Sequence, residues 1–149
     1  MRLVAFQPDM APNLGAMIRI SACFGVPLDV IEPCGFPLSA RDLRRAAMDY
    51  GSAADTTRHD SYQVWCATHR PECRLILMTT KASVPLHTFA FQPGDAVMVG
   101  RESAGVPDAV AQDADARVRI AMPGQGRSLN VAVSAGMALH EALRQTGQL

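Results

Sequence analysis

The sequence predicts an α/β fold, a mostly parallel sheet with helices on both faces, from two features of its apolar pattern. Four short segments are apolar along nearly their whole length: residues 3–6, 28–31, 75–78 and 96–99. Such runs are typical of strands that are buried on both faces of a parallel sheet. Segments with helical spacing alternate with them, which is the order of βαβ units. We therefore expect residues 1–149 to form one α/β domain, without internal repeats or linkers.

The remaining elements follow in chain order. Helices are predicted at about residues 14–24, from Ser39 through Leu43 and Ala47, at 62–68, at 106–111 and at 128–145, with a short strand at 118–120. Ser39 is the expected N-cap of the second helix, because Asp42 follows three residues later as the capping acid. Ser128 is the expected cap of the last helix.

Composition narrows the class of protein. The formal net charge is zero, so no global field indicates a polyanionic partner. The four cysteines have no C-x-x-C spacing, and the histidines do not cluster near them, so we expect no metal site. No apolar run reaches membrane-spanning length and the first residues do not resemble a signal peptide, so we expect a cytoplasmic protein without a membrane partner. Arginines crowd the first half of the chain, which indicates either a basic face or an ordinary solvated surface: Arg41, Arg44, Arg45, Arg58 and Arg70.

Ligands of open α/β sheets bind beyond the carboxyl ends of the strands, and unusual residues follow three of the predicted strands here. After the first strand, Asn13 is the expected N-cap of a helix. Gly15 and Arg19 share a helix face, and Arg19 leans toward the helix N-terminus, where free amides favour an anion or a ribose. A capped helix with an ordinary surface arginine explains this segment equally well.

Residues 100–107 follow the strand at 96–99. Gly100 and Gly105 bracket a polar turn that contains Glu102, and glycine permits close approach of a backbone to a ligand. The G-x-G-x-x-G fingerprint and the Walker lysine-serine pattern are both absent, so a nucleotide would be held by neither of these loops. A solvated turn is the alternative interpretation.

Residues 120–130 form a glycine-rich break between a strand and the last helix. Small residues of that helix form one stripe with two more beside it: Val131, Ala135, Ala138 and Ala142, flanked by Ala132 and Gly136. So smooth a face permits close helix approach, either inside the core or to a second subunit, and the pattern slightly favours the core.

The three segments together resemble the ordered motifs of the SPOUT superfamily of RNA methyltransferases. They are Asn13-x-Gly15-x-x-x-Arg19, Gly100-Arg101-Glu102-Ser103-x-Gly105-Val106-Pro107 and Ser128-Leu129-Asn130-Val131. The likeness continues over nearly the whole chain, at Glu32-Pro33-x-Gly35-Phe36, Leu43-Arg44-Arg45-Ala46, Asp49-Tyr50, Arg58-His59 and Thr79-Thr80-Lys81. Within the superfamily, the chain looks like the minimal single-domain tRNA (cytidine/uridine-2′-O)-methyltransferases, which act on the wobble ribose at position 34.

The resemblance implies a fold, a cofactor and an assembly. The carboxyl-terminal part of the sheet would pass through a loop as a deep trefoil knot, and S-adenosylmethionine would bind there without a metal and leave as S-adenosylhomocysteine. By matching positions, five residues would surround the cofactor: Met78, Gly100, Ile120, Met122 and Ser128. Members are homodimers whose terminal helix packs at the interface, and tRNA would span both subunits.

The resemblance also implies roles for polar residues. Arg19 would contact the target ribose or phosphate, and Asn13, Glu102 and Asn130 would order Arg19, the RNA or the cofactor loop. A guanidinium is a poor general base, so we interpret Arg19 as an electrostatic group that stabilises the developing alkoxide. Candidates for RNA backbone contact are Arg44, Arg45, Arg58, His59 and Lys81.

Three other functions compete with this interpretation. The first is a 2′-O-methyltransferase of another tRNA or rRNA site, and the second is a non-catalytic RNA-binding dimer of the same fold. The third is a Rossmann-like nucleotide-binding module, which the missing glycine fingerprint disfavours.

Overall fold

The computed structural model describes residues 1–39, 41 and 55–149. Its centre is a parallel sheet of seven strands in the order β3-β2-β1-β6-β4-β7-β5. The strands are β1 (Arg2–Phe6), β2 (Leu28–Ile31), β3 (Thr56–His59), β4 (Leu75–Met78), β5 (Val84–Pro85), β6 (Ala96–Val99) and β7 (Ala116–Arg119). The helices are α1 (Ala11–Phe24), α2 (Tyr62–His69), α3 (Asp108–Asp113) and α4 (Val131–Gln145), with a 3-10 turn at Leu86–Thr88. The predicted α/β class is confirmed.

Helices cover both faces of the sheet. Helices α1 and α4 pack on one face, where alternate strand residues such as Leu3, Val30 and Val97 are fully buried. Helices α2 and α3 pack on the other face, where Trp65 is fully buried against the remaining strand residues. Because the four central strands are apolar on both faces except at Arg2 and Asp29, they form the core whichever way each apolar side chain points.

Two strands, β3 and β5, lack the apolar pattern and were not predicted from the sequence. Strand β3 is polar and lies at an edge, with only His59 buried, and β5 has two residues. Neither is long or apolar enough to produce a periodicity signal. The expected helix after Ser39, with Asp42, Leu43 and Ala47, falls outside the described residues.

Two predicted helix caps are wrong. Helix α1 begins at Ala11, so Asn13 lies inside its first turn, and Pro12 takes one of the early positions that proline prefers. The last helix begins at Val131, and its cap is Asn130 rather than Ser128, because Asn130 Oδ1 accepts the amides of Ala132 (2.9 Å) and Val133 (3.3 Å). The Asn13 side chain bonds to residues outside α1 instead, and the cap of α4 lies two residues beyond the predicted one.

A buried polar cluster lies under α2. Asp29 is 1% exposed and accepts hydrogen bonds from Arg2 and from Trp65 Nε1 (3.2 Å), and it pairs with His59 Nε2 at 2.8 Å. His69 Nε2 lies 3.6 Å from the Asp29 carboxylate, so these groups could together hold a metal ion. However, the Arg2 guanidinium contacts both Asp29 and His69, and its positive charge opposes a cation there. We therefore interpret the cluster as a structural ion-pair network.

This cluster predicts how stability depends on pH. Burial, and next the Arg2 guanidinium, lower the pKa of His69 below its ordinary 6.5. The unfolded chain therefore takes up a proton on His69 before the folded chain does, and the free energy of unfolding falls as the pH decreases below about 6.5. Urea unfolding at pH 7.5 and 5.5 measures this loss. His69→Gln should reduce it, whereas His87→Gln, at an exposed position, should not; equal pH dependence in the two variants would contradict the assignment.

Candidate active site

A cleft opens beyond the carboxyl ends of β4, β6 and β7, with a volume of about 620 Å³. We call it the strand-end cleft. It is lined by Met10, Asn13, Leu77–Thr80, Val99–Val106, Ile120, Met122, Arg127–Val131 and Ser134. The residues come from the loops after three strands and from the first turns of α1 and α4. All three segments singled out in the sequence therefore meet in one place, as expected for an open α/β sheet.

The five predicted cofactor residues all line the strand-end cleft. Met78, Ile120 and Met122 supply an apolar wall, and Gly100 and Ser128 lie on loops with polar groups. A cleft of this size, with an apolar wall and polar groups opposite it, suits a small organic ligand that has both kinds of surface. Thr79 and Thr80, which follow Met78 in the sequence, also line the cleft.

Three of the four predicted catalytic residues form one hydrogen-bonded chain. Asn13 Nδ2 donates to Glu102 Oε1 at 2.9 Å, and Asn130 Nδ2 donates to Asn13 Oδ1 at 2.9 Å. Since Asn130 also caps α4, the chain joins the loop after β6 to the first turns of α1 and α4. Glu102 Oε2 accepts the backbone amide of Asp9 at 2.7 Å, so both carboxylate oxygens are engaged. This arrangement suits positioning rather than proton transfer.

Asp9 is a site residue that the sequence interpretation missed. Its carboxylate accepts hydrogen bonds from the Ser103 hydroxyl and amide, and from Arg101 Nε at 3.3 Å. The Ser103 hydroxyl, the Ser103 amide and Arg101 lower the pKa of Asp9, against a smaller opposing effect of desolvation. Gly35 packs directly against Asp9, since a Cβ atom at Gly35 would lie 2.9 Å from Asp9 Cα. The sequence signal that could have identified Asp9 is its position, as an acidic residue just beyond the carboxyl end of β1.

The loop after β6 closes on itself. The Arg101 amide donates to the Gly105 carbonyl, and the Gly105 amide donates to the Arg101 carbonyl, both at 2.9 Å. Gly105 has a φ of +66°. A Cβ atom at Gly100 would lie 2.6 Å from the Gly105 carbonyl carbon. Both glycines are therefore needed by the backbone of this turn, Gly100 for space and Gly105 for its conformation.

Arg19 is the predicted catalytic residue that does not line the strand-end cleft of its own chain. Its side chain is exposed on α1, on the same stripe as Pro12, Ala16 and Cys23. Helix α1 packs against α4 at two places. Ile20 lies against Gly136, where an added Cβ atom would lie 3.5 Å from Ile20 Cδ1. The Phe24 and His140 rings meet edge-on, with their centroids 6.0 Å apart. The outward stripe of α1 therefore lies beside that of α4.

The predicted RNA-contact residues have different surroundings. His59 is wrong as an RNA contact, because it is 6% exposed and pairs with Asp29. Arg58 is exposed, but Glu32 neutralises it through two hydrogen bonds of 3.1 and 2.8 Å. Lys81 is exposed in the turn after β4, and Arg44 and Arg45 lie outside the described residues.

The small-residue stripe of the last helix faces the core, as its pattern slightly favoured. Ala135, Ala138 and Ala142 are fully buried within the chain, so they are not the surface of a second subunit's contact. What α4 exposes is a different stripe. Val133 and Met137 lie one turn apart on it, and Leu129 and Met10 are also exposed, just before α4 and α1. We call these four side chains, each 40–51% exposed, the apolar patch.

Comparisons with known proteins agree with this geometry. The profile of the SpoU rRNA Methylase family matches residues 1–140. A tRNA (cytidine(34)-2′-O)-methyltransferase of Beijerinckia indica is 51% identical over 99% of this chain and 92% of its own length. The enzyme of that name from Escherichia coli K12 is 35% identical over 99% of this chain and 94% of its own.

Solved structures place the fold in the same group. One described as giving insights into 2-OH methylation of C/U34 on tRNA superposes with a TM-score of 0.89 at 37% identity, over 97% of this chain and 94% of that one. An AdoMet-bound rRNA methyltransferase from Sinorhizobium meliloti superposes with a TM-score of 0.83 at 26% identity, over 96% of this chain but 55% of that one. Such a match over nearly the full sequence and fold is decisive: the chain belongs to the SpoU rRNA Methylase family.

Proposed function

We propose that this protein transfers a methyl group from S-adenosylmethionine to the ribose 2′-hydroxyl of the wobble nucleotide, cytidine or uridine 34, of tRNA. The observation that carries the proposal is the hydrogen-bonded chain Glu102–Asn13–Asn130 at the mouth of a cleft lined by all five residues expected to hold the cofactor. The relatives named for this reaction match over nearly their whole length. A cytoplasmic location follows from tRNA as the substrate.

The residues of the strand-end cleft fit S-adenosylmethionine. Met78, Ile120 and Met122 offer an apolar wall for the adenine, and the loops at Gly100 and Ser128 bring backbone groups to the cleft. When bound, the cofactor supplies an electrophilic methyl group on a sulfonium. Because that leaving group is strong, positioning of the ribose hydroxyl supplies much of the acceleration. The trefoil knot implied by the resemblance is part of this proposal, as is the action of residues 1–149 as one catalytic domain.

Each polar residue then has a role. Asn13, Glu102 and Asn130 hold the loop after β6 against α1 and α4, and Asp9 holds the same loop through Ser103 and Arg101. Arg19 is the group that stabilises the developing alkoxide and clamps the neighbouring phosphate. Such a guanidinium acts without giving up its proton.

The protein would act as a homodimer formed through the apolar patch. The patch lies on α4 and at the start of α1, and the outward stripe of α1 with Arg19 lies beside it. Side chains such as Met137, exposed at 44%, are costly to leave in water when they adjoin one another. In a dimer of this kind, Arg19 would face the second subunit rather than its own cleft.

Charge placed in the apolar patch should separate the subunits. We expect Val133→Asp and Met137→Asp to shift the protein from dimer to monomer in sedimentation velocity, because each would bury an unpaired carboxylate. Val64→Asp is the matched control, since Val64 is 47% exposed but lies on α2, on the other face of the sheet. A wild-type monomer, or dimers that persist in both patch variants, would rule out this interface.

The rRNA alternative is the second candidate, because the family profile carries that name. The rRNA methyltransferase from Sinorhizobium meliloti matches over 55% of its length, whereas the tRNA enzymes match over 92–94% of theirs. Full-length correspondence therefore favours tRNA. A non-catalytic dimer is disfavoured because Asn13, Glu102 and Asn130 keep their mutual hydrogen bonds.

A methyl-transfer assay tests the proposal. The purified protein is incubated with S-adenosylmethionine and tRNA from cells that lack it, and digested tRNA is mapped by mass spectrometry. We expect one added methyl group on the ribose of nucleotide 34. A tRNA with 2′-deoxyribose at position 34 is the matched control and should accept none. Methylation of the control, of a base, or of rRNA in preference to tRNA would overturn the assignment.

A further inference from the structure

We propose that four cations beside β7 form the surface that docks the phosphate backbone of the RNA, an inference that rests on the proposed function. These residues are Lys81, Arg117, Arg119 and Arg127, and we call them the basic edge. They are distinct from the arginines of the first half of the chain, where clustering in the sequence had indicated a basic face.

The fold brings the four residues to the side of the sheet formed by β7 and β5. Arg117 and Arg119 alternate along β7, so their side chains leave the same face about 6.6 Å apart. Lys81 lies in the turn between β4 and β5, the two strands that flank β7. That turn is tied to the end of β7, since the Thr79 amide donates to the Val118 carbonyl at 2.9 Å. Arg127 lines the strand-end cleft together with Ile120, the residue that follows Arg119, so the basic edge extends from β7 to the cleft.

The charge of these residues is not cancelled by carboxylates, unlike that of six other described arginines. Six described arginines are paired with carboxylates: Arg2 with Asp29, Arg58 with Glu32, Arg70 with Asp113 and Asp115, Arg74 with Asp95, Arg101 with Asp9, and Arg144 with Glu141. Within the described part of the chain, none of the four residues of the basic edge has such a partner. A chain with zero net charge therefore has a local positive field next to its cleft.

This chemistry fits a nucleic-acid backbone. Arginine binds phosphate through a planar fork, and unpaired cations release counterions when they meet phosphates. Phosphate contacts set the position and orientation of the RNA, while the cleft receives the reacting nucleotide. Arg117 and Arg119 are thus binding residues that orient the substrate and do not touch the reacting atoms.

Salt-dependent binding tests the basic edge. Fluorescence anisotropy with unmodified tRNA is measured at several salt concentrations for Arg117→Gln, Arg119→Gln and the double variant. We expect each single change to reduce the slope of log K against log salt by about 1, and the double change by about 2. Arg144→Gln is the matched control, because Arg144 is paired with Glu141 and lies about 21 Å along α4 from Asn130. Its slope should equal that of the wild type.

The outcomes separate this inference from the proposed function. If Arg117→Gln and Arg119→Gln bind tRNA with the affinity and slope of Arg144→Gln, the basic edge is wrong, even when nucleotide 34 is methylated normally. If the two variants lose binding as expected but wild-type protein methylates no tRNA, the docking surface stands and the proposed function fails. Calorimetric titration with S-adenosylhomocysteine should give one affinity for all variants, and a weakened affinity would mean that the changes act by distorting the cleft.

Discussion

Gly100→Ala should weaken cofactor binding about tenfold or more and lower the free energy of unfolding by about 1–3 kcal/mol. The added Cβ would lie 2.6, 2.8 and 2.9 Å from the carbonyl carbon, Cα and carbonyl oxygen of Gly105. These are backbone atoms, and the two hydrogen bonds between Arg101 and Gly105 hold them in place. The turn must therefore open to admit a methyl group, and the loop that carries Glu102 and Ser103 shifts with it.

The effect is measured by calorimetric titration with S-adenosylhomocysteine and by urea unfolding. We expect the dissociation constant to rise about tenfold or more, which corresponds to about 1.4 kcal/mol. Gly124→Ala is the matched control, because a Cβ atom at Gly124 meets no atom of the described residues within 4 Å. Its affinity and stability should stay near those of the wild type. If the two alanine variants behave alike, the close approach of Gly100 to Gly105 has no bearing on the cofactor.

The central part of the fold was predictable because its strands leave no choice of buried face. Strands β1, β2, β4 and β6 are apolar on both sides, and their order with the helices is sufficient for an α/β sheet. The edges were not predictable in the same way. Strand β3 is held by pairing with β2 and by His59 against Asp29, which is a long-range contact that leaves no apolar pattern.

The candidate site shows the same division. The sequence indicated that the segments of Asn13, Glu102 and Asn130 lie beyond strand ends, and the family resemblance implied that these residues order Arg19, the RNA or the cofactor loop. It assigned Asn13 to a helix cap, because local propensity cannot tell whether an asparagine side chain will bond within its own helix or to another segment. In the structure Asn13 serves Glu102 and Asn130 instead. Asp9 was missed because its partners, Arg101 and Ser103, lie more than 90 residues away.

Electrostatics was the least predictable feature. Arg58 and Arg70 belong to the arginine-rich half of the sequence, but both are neutralised by carboxylates from other elements. Arg117 and Arg119 form no cluster in the sequence, where they are two residues of a short strand. Their position beside the strand-end cleft depends on strand order, which the chain order of the elements does not determine.

Arg19→Ala should lower the rate of methyl transfer by about 10²–10³ while cofactor binding stays unchanged. That magnitude is typical for removal of one preorganised group that stabilises a developing oxyanion. Arg19 does not line the strand-end cleft of its own chain, so S-adenosylhomocysteine should bind the variant with wild-type affinity. Single-turnover methylation of saturating tRNA measures the loss. Arg19→Lys keeps the charge without the planar fork and should recover only part of the rate.

A mixed dimer shows which subunit Arg19 serves. One chain carries Arg19→Ala and keeps a working cleft, while the other carries Gly100→Ala and keeps its arginine. S-adenosylmethionine is held well below the dissociation constant of the Gly100→Ala chain, so that the cleft of that chain stays largely empty. If Arg19 acts across the interface, the Gly100→Ala chain supplies the guanidinium to the intact cleft, and the mixed dimer should recover about half of the wild-type activity. If Arg19 acts within its own chain, no subunit has both parts and the mixed dimer stays inactive. Full activity of the Arg19→Ala homodimer would remove the residue from the mechanism, because the exposed stripe of α1 would then contribute nothing to the transfer.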